Sequence, residues 1–140
     1  MSTTAESSVL IEHIVEALQS KKGLDILLMD LRASTDTVDY FILCSGTSEL
    51  HVKSLAEEVS GQLKLVGLPP WQVEGYKERN WVLIDCVDIA VHIFRQETRE
   101  FYALERLWGD AECTRYEDDG APANEEDGRQ TDRFSIAAEF

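Results

Sequence analysis

A chain of 140 residues, 44% of them hydrophobic, is long enough to bury a core as one domain, without metal or disulfide staples. Its net charge of −14 argues against a nucleic-acid binder, because neutralising phosphates requires a basic surface. Half of that charge lies in the last 31 residues, where Asp110 to Phe140 holds ten acids against three bases; such acidity suits either a basic protein partner or plain solubility.

From about Glu6 to Ser20, Leu10, Ile11, Ile14, Val15 and Leu18 recur at helical spacing, and Lys21, Lys22 and Gly23 then supply the bases and glycine that favour a helix end. Leu24 to Leu31 is apolar but too short for another helix, and reads as a strand. After polar turn residues Arg32 to Thr37, Val38 to Cys44 reads as a second strand paired with the first. Ser45-Gly46-Thr47-Ser48 is composed to cap a helix, and Glu49 to Val66 carries Leu50, Val52, Leu55, Val59, Leu63 and Val66 on one stripe. Gly67, Pro69 and Pro70 stop it.

Trp71 to Tyr76 predicts a third strand, with Gly75 marking a bulge or a close backbone approach. The next fifteen residues, Asn80 to Phe94, hold two β-branched runs, Trp81 to Ile84 and Ile89 to Phe94, separated by Asp85-Cys86-Val87-Asp88. They predict a tight antiparallel hairpin at the centre of the sheet. In the second run Ile89, Val91 and Ile93 alternate with Ala90, His92 and Phe94, so both faces are largely apolar and call for cover on both sides. In the first run the Trp81 and Leu83 face ends in the carboxylate of Asp85, which suits a face left partly open. Glu97 to Trp108 predicts a third helix through Phe101, Leu104 and Trp108. The expected fold is therefore α/β (α+β), a mixed five-stranded sheet with helices packed on it, over residues 1–111. Residues 112–140, rich in acids, Gly, Pro and Asn, form an expected disordered tail.

Cys44, Cys86 and Cys113 are odd in number and share no C-x-x-C spacing, so neither a disulfide framework nor a zinc site is expected. MSTTAESSVL lacks the features of a secretory or transit segment, and no run is long enough to span a bilayer; the expected location is the cytoplasm. The Ser45 to Ser48 turn lies between a strand and a helix, where a phosphate could sit, yet it lacks the second glycine and the Lys of a phosphate-binding loop. Glu57 and Glu58, about where a nucleotidyltransferase needs paired carboxylates, are adjacent on a helix and point apart. Asp85 and Asp88 could hold a cation or simply satisfy a turn. His92 reads as a hydrogen-bonded structural histidine rather than a catalytic one. Trp71, Tyr76 and Trp81, set among charges, make a candidate protein-recognition patch.

Taken in order, CSGTS at Cys44 to Ser48, His51-Val52, Glu74-Gly75, WVLIDCVDIAVHIF at Trp81 to Phe94 and ETREFYALERLWGDA at Glu97 to Ala111 resemble the ribosomal silencing factor family, also called Iojap-like proteins. The resemblance runs from about Val9 to Ala111 and departs from the usual pattern at Cys86-Val87. It implies a fold similar to nucleotidyltransferases without the catalytic site, no cofactor and no enzyme activity. It further implies binding to the large ribosomal subunit through its fourteenth protein, obstruction of small-subunit joining when nutrients are scarce, a role in large-subunit assembly in organellar relatives, and a homodimer when free. Carried over by position, the implied contact residues are Glu74, Gly75, Trp81, Leu83 and Asp85, with Arg99, Tyr102 and Trp108 serving either that surface or the fold. Trp81 is the expected aromatic anchor and Asp85 the expected partner of a ribosomal Arg or Lys. The alternative from another class is a nucleotide-binding or nucleotidyl-transferring enzyme built on the Ser45 to Ser48 turn.

Overall fold

The computed structural model describes residues 3–116, apart from residues 69, 71, 87, 104, 105, 107 and 108. The elements run α1 (Thr3–Ser20), β1 (Leu24–Asp30), β2 (Tyr40–Gly46), α2 (Glu49–Leu65), β3 (Gln72–Glu74), β4 (Trp81–Asp85), β5 (Ile89–Arg95), α3 (Gln96–Tyr102) and β6 (Glu112–Arg115). The six strands form one mixed sheet in the order β3-β4-β5-β2-β1-β6. β2 and β5 run parallel over seven paired residues, from Tyr40 opposite Ile89 to Gly46 opposite Arg95, and every other pairing is antiparallel.

The fold class expected from the sequence holds, with two changes to the sheet. The sheet's centre is the parallel β2–β5 pair, so only the second strand of the β4–β5 hairpin is central. Among the described residues there are six strands instead of five: Glu112–Arg115, assigned to the tail in the sequence reading, pairs with Leu27–Asp30 at the sheet edge. Backbone hydrogen bonds make that strand, while Cys113 alone contributes an apolar side chain to the packing beneath it. A four-residue run with so little apolar pattern gives no strand signal. The expected disorder beyond it lies outside the described residues.

α1 turns into β1 through a reversal in which Gly23 N–H and Lys22 N–H donate to the carbonyls of Leu18 and Gln19, at 2.8 and 3.0 Å. The left-handed residue of this turn is Lys22, at φ 61°. Gly23 is required for space instead, since a Cβ there would overlap the Cys44 sulfur. Helix α3 breaks earlier than expected, although Arg106 is helical again and residues 104, 105, 107 and 108 of the expected helix lie outside the described residues. Ala103 takes a left-handed conformation, φ 45°, and its N–H returns to the Arg99 carbonyl at 2.8 Å, ending the helix after Tyr102.

α1 and α2 cover the same face of the sheet. Ile14, Val15 and Leu18 from α1 and Val52, Leu55, Val59 and Leu63 from α2 pack on Ile26, Ile42, Cys44, Val82, Ile84, Ile89, Val91 and Ile93. Alternation sends Leu27, Met29, Leu43 and Phe94 to the opposite face, where a second cluster forms with Phe41, Trp81, Ala111 and Cys113 against it. Burial pushes the thiols of Cys44 and Cys86 up to about 12, so both are neutral. Among the described residues no helix is long and apolar enough to cross a membrane.

Ile93 is wholly buried between the helices and the sheet, whereas Leu65 at the end of α2 is 81% exposed. Ile93→Ala should lower the unfolding free energy by about 2–5 kcal/mol in a denaturant titration, because it leaves a cavity. Leu65→Ala should change it by no more than about 0.5 kcal/mol.

Candidate docking face

The sheet face turned away from α1 and α2 is covered unevenly. Trp81 stands opposite Phe94, Leu83 opposite His92 and Asp85 opposite Ala90. Glu74 stands opposite Leu83, and Gln72 opposite Asp85. Directly paired antiparallel residues share a face, so Glu74, Trp81, Leu83 and Asp85 all project from this one. β2 extends it inward through Phe41 and Leu43, level with Ala90 and His92. Trp81, Leu83, Asp85, Ala90 and Phe41 are half-buried, while Leu43, His92 and Phe94 are buried.

Helix α3 closes one end. Its Tyr102 ring lies 4.8 Å from the indole of Trp81, and Phe94 supports the indole from below at 5.1 Å. Phe101 and Tyr102 remain 80% and 51% exposed, so the cluster rises out of the sheet as an apolar step. The indole N–H of Trp81 donates to Nδ1 of His92 at 2.9 Å. That bond makes Nδ1 an acceptor and puts the ring proton on Nε2, and burial lowers the His92 pKa from 6.5 to about 4, so the ring is neutral at physiological pH. Acids rim the surface: Glu74, whose carboxylate accepts from the Gln72 amide at 2.6 Å, Asp85, and Glu97 beside the recess between Asn80, Trp81 and Tyr102.

Other residues singled out in the sequence lie elsewhere. Arg99, which the resemblance left to either the contact surface or the fold, is buried, and its guanidinium donates to the Asp25 carbonyl at 2.7 Å and to Ser45 Oγ at 2.9 Å. It ties α3 to β1 and β2 and belongs to the fold. Gly75 acts through its backbone. It has φ +81°, and a Cβ there would overlap the Trp81 carbonyl oxygen, so glycine lets the turn before β4 pass close to the anchor strand. Tyr76 leaves the expected recognition patch, because its hydroxyl donates to the Glu57 carboxylate on α2 and its ring packs on the helix-covered core. Trp71 and Trp108 lie outside the described residues.

The Ser45 to Ser48 turn satisfies itself. Ser48 Oγ accepts from His51 N–H at 3.1 Å, His51 Nδ1 accepts from Thr47 N–H at 2.9 Å, and the other ring nitrogen meets the Lys21 carbonyl at 2.8 Å. The Thr47 and His51 amides are spent within this turn, and His51 clasps the start of α2 to the end of α1. Glu57 pairs with Lys53 and Tyr76 while Glu58 accepts from Gln62, so these neighbours diverge as their helical spacing requires. Among the described residues no group of three His, Cys, Asp or Glu side chains could hold a metal ion. The role of His92 as partner to Trp81 was legible only in part: alternation puts it on the Phe94 face, but the diagonal bond across the hairpin needs the register.

The family model described as "Ribosomal silencing factor during starvation" matches residues 4–139. The chain belongs to the ribosomal silencing factor family. That match reaches into the C-terminal segment, beyond Ala111, where the motif resemblance stops. The ribosomal silencing factor of Bacillus subtilis is 39% identical over 95 residues, covering 68% of this chain and 80% of that protein. The one from Halalkalibacterium halodurans is 35% identical over 102 residues, covering 73% and 87%. A crystal structure of a Chromobacterium violaceum protein superposes with a TM-score of 0.71 at 34% identity, covering 73% of this chain and 85% of that one. Both of these sequence relatives are named ribosomal silencing factors.

The neutral His92 makes a pH prediction. Its pKa is about 4 folded against an ordinary 6.5, so between those values the unfolded chain binds the extra proton. The stability His92 contributes is therefore complete above pH 6.5 and is lost as pH falls toward 4, about 3 kcal/mol in all at about 1.4 kcal/mol per pH unit. Denaturant titrations from pH 8 to 4 should show His92→Phe losing less stability than wild type across that window.

Proposed function

We propose that this protein binds the large ribosomal subunit through the Trp81 face, by contact with the fourteenth large-subunit protein, and thereby keeps the small subunit from joining. Family membership supports the partner. The observation that carries the choice of surface is the half-covered aromatic cluster of Trp81, Tyr102 and Phe101, continuous with Leu83 and rimmed by Glu74, Asp85 and Glu97. An apolar centre with an acidic rim suits a basic ribosomal protein: the rings supply affinity on desolvation, and the carboxylates, with Asp85 facing an Arg or Lys, speed encounter and set register.

Silencing in this reading is steric exclusion. The bound domain occupies space that the other subunit needs, so repression in the cytoplasm under nutrient limitation follows from occupancy alone and requires no cofactor or reaction. In the free protein a homodimer over the same face would hide Trp81 until the ribosome competes for it.

Sedimentation with purified large subunits tests this reading. Wild type should co-sediment and suppress formation of whole ribosomes when small subunits are added. Trp81→Ala should bind roughly 30-fold or more weakly, the loss expected of a central tryptophan anchor, and should restore joining. Equal binding by the folded variant, or binding without a block of joining, would contradict it.

A further inference from the structure

Three ring contacts and one hydrogen bond hold the Trp81 indole among the described residues. The contacts with Phe94, Tyr102 and His92, at 5.1, 4.8 and 5.8 Å between centroids, are tilted by 32° to 47°. Tilted contacts of this kind accept more than one orientation of the indole plane. The N–H bond to His92 Nδ1 accepts only one, since a flipped ring would carry its donor away from the acceptor.

His92 is well suited to be the fixed end of this tether. Its backbone sits in the middle of the sheet, paired with Leu83 on one side and Leu43 on the other. Its side chain is buried, and the Phe41 ring packs edge-on against it at 4.4 Å. Trp81 by contrast opens β4, next to the exposed Asn80, and has sheet pairing through β5 alone. A large ring at the end of one strand is thus tied to a strand at the centre of the sheet.

We propose that His92 is a positioning residue of the docking face: through its bond to the indole N–H it holds Trp81 in the one orientation that presents the apolar ring, and not the N–H, to the partner. The proposal rests on the reading that this face meets the ribosome. It adds that the indole N–H is spent inside the protein, so the partner surface opposite Trp81 is apolar and offers no acceptor to it.

The test uses the full chain with indole-labelled tryptophan, purified large subunits, and the variants His92→Phe, His92→Asn and Trp81→Phe, each checked for folding by its melting curve. His92→Phe keeps a ring and removes the acceptor, while His92→Asn returns an oxygen near the position of Nδ1. In wild type the Trp81 indole proton, assigned by its loss in Trp81→Phe, should exchange slowly. His92→Phe should move its resonance, speed its exchange and weaken subunit binding roughly three- to tenfold, the range expected for one hydrogen bond. His92→Asn should recover part of both effects, and adding His92→Phe to Trp81→Phe should weaken binding no further. An unmoved indole proton in His92→Phe would overturn the proposal. So would the same loss of binding with or without the Trp81 N–H, because His92 would then act directly. If wild type fails to bind subunits, the functional reading fails, and the indole proton still decides whether His92 holds the ring.

Discussion

A strand with two apolar faces must be covered twice, and β5 is such a strand. Its Ile89, Val91 and Ile93 lie under α1 and α2, while Ala90, His92 and Phe94 face the other way. Among the described residues, the seven residues of α3 and the stretch through β6 follow β5. Ala111 and Cys113 pack at the β1 and β2 end, beside the wholly buried Met29 and Leu43, and the β4 side stays half-open around Trp81, Leu83 and Asp85. The candidate docking face is thus a direct consequence of two helices being committed to one side.

The motifs of the family divide physically between holding the fold and shaping this face. CSGTS with His51 is a clasp, since each polar group in the Ser48 and His51 pair satisfies a neighbouring amide or carbonyl. Arg99 fastens α3 to Ser45 and Asp25, which sets where Tyr102 meets Trp81. Gly75 makes room for the Trp81 carbonyl. The Ser45 to Ser48 turn serves here as a helix cap, with the Thr47 and His51 amides bonded within it.

Most of the strands and helices were legible because their apolar periods are strong: the stripe of α2 and the alternation of β5 each admit one reading. What the sequence hid depends on partners distant in the chain. β6 exists because the edge of β1 offers unpaired backbone groups, and nothing in Glu112–Arg115 advertises that. Arg99 looks like a surface cation until Ser45 and Asp25 come within reach of it. The face of Glu74, Trp81, Leu83 and Asp85 could be assembled from alternation within each strand, but the bond from Trp81 to His92 required the exact pairing of β4 with β5.

The central claim is that the half-covered side of the sheet, and not the helix-covered side, is the working surface. Electron cryomicroscopy of the protein bound to purified large subunits tests it most directly. The account predicts density for the ribosomal partner against Trp81, Leu83 and Tyr102, with α1 and α2 turned away from it. A complex in which α1 and α2 lie against the ribosome while Trp81 faces solvent would contradict it.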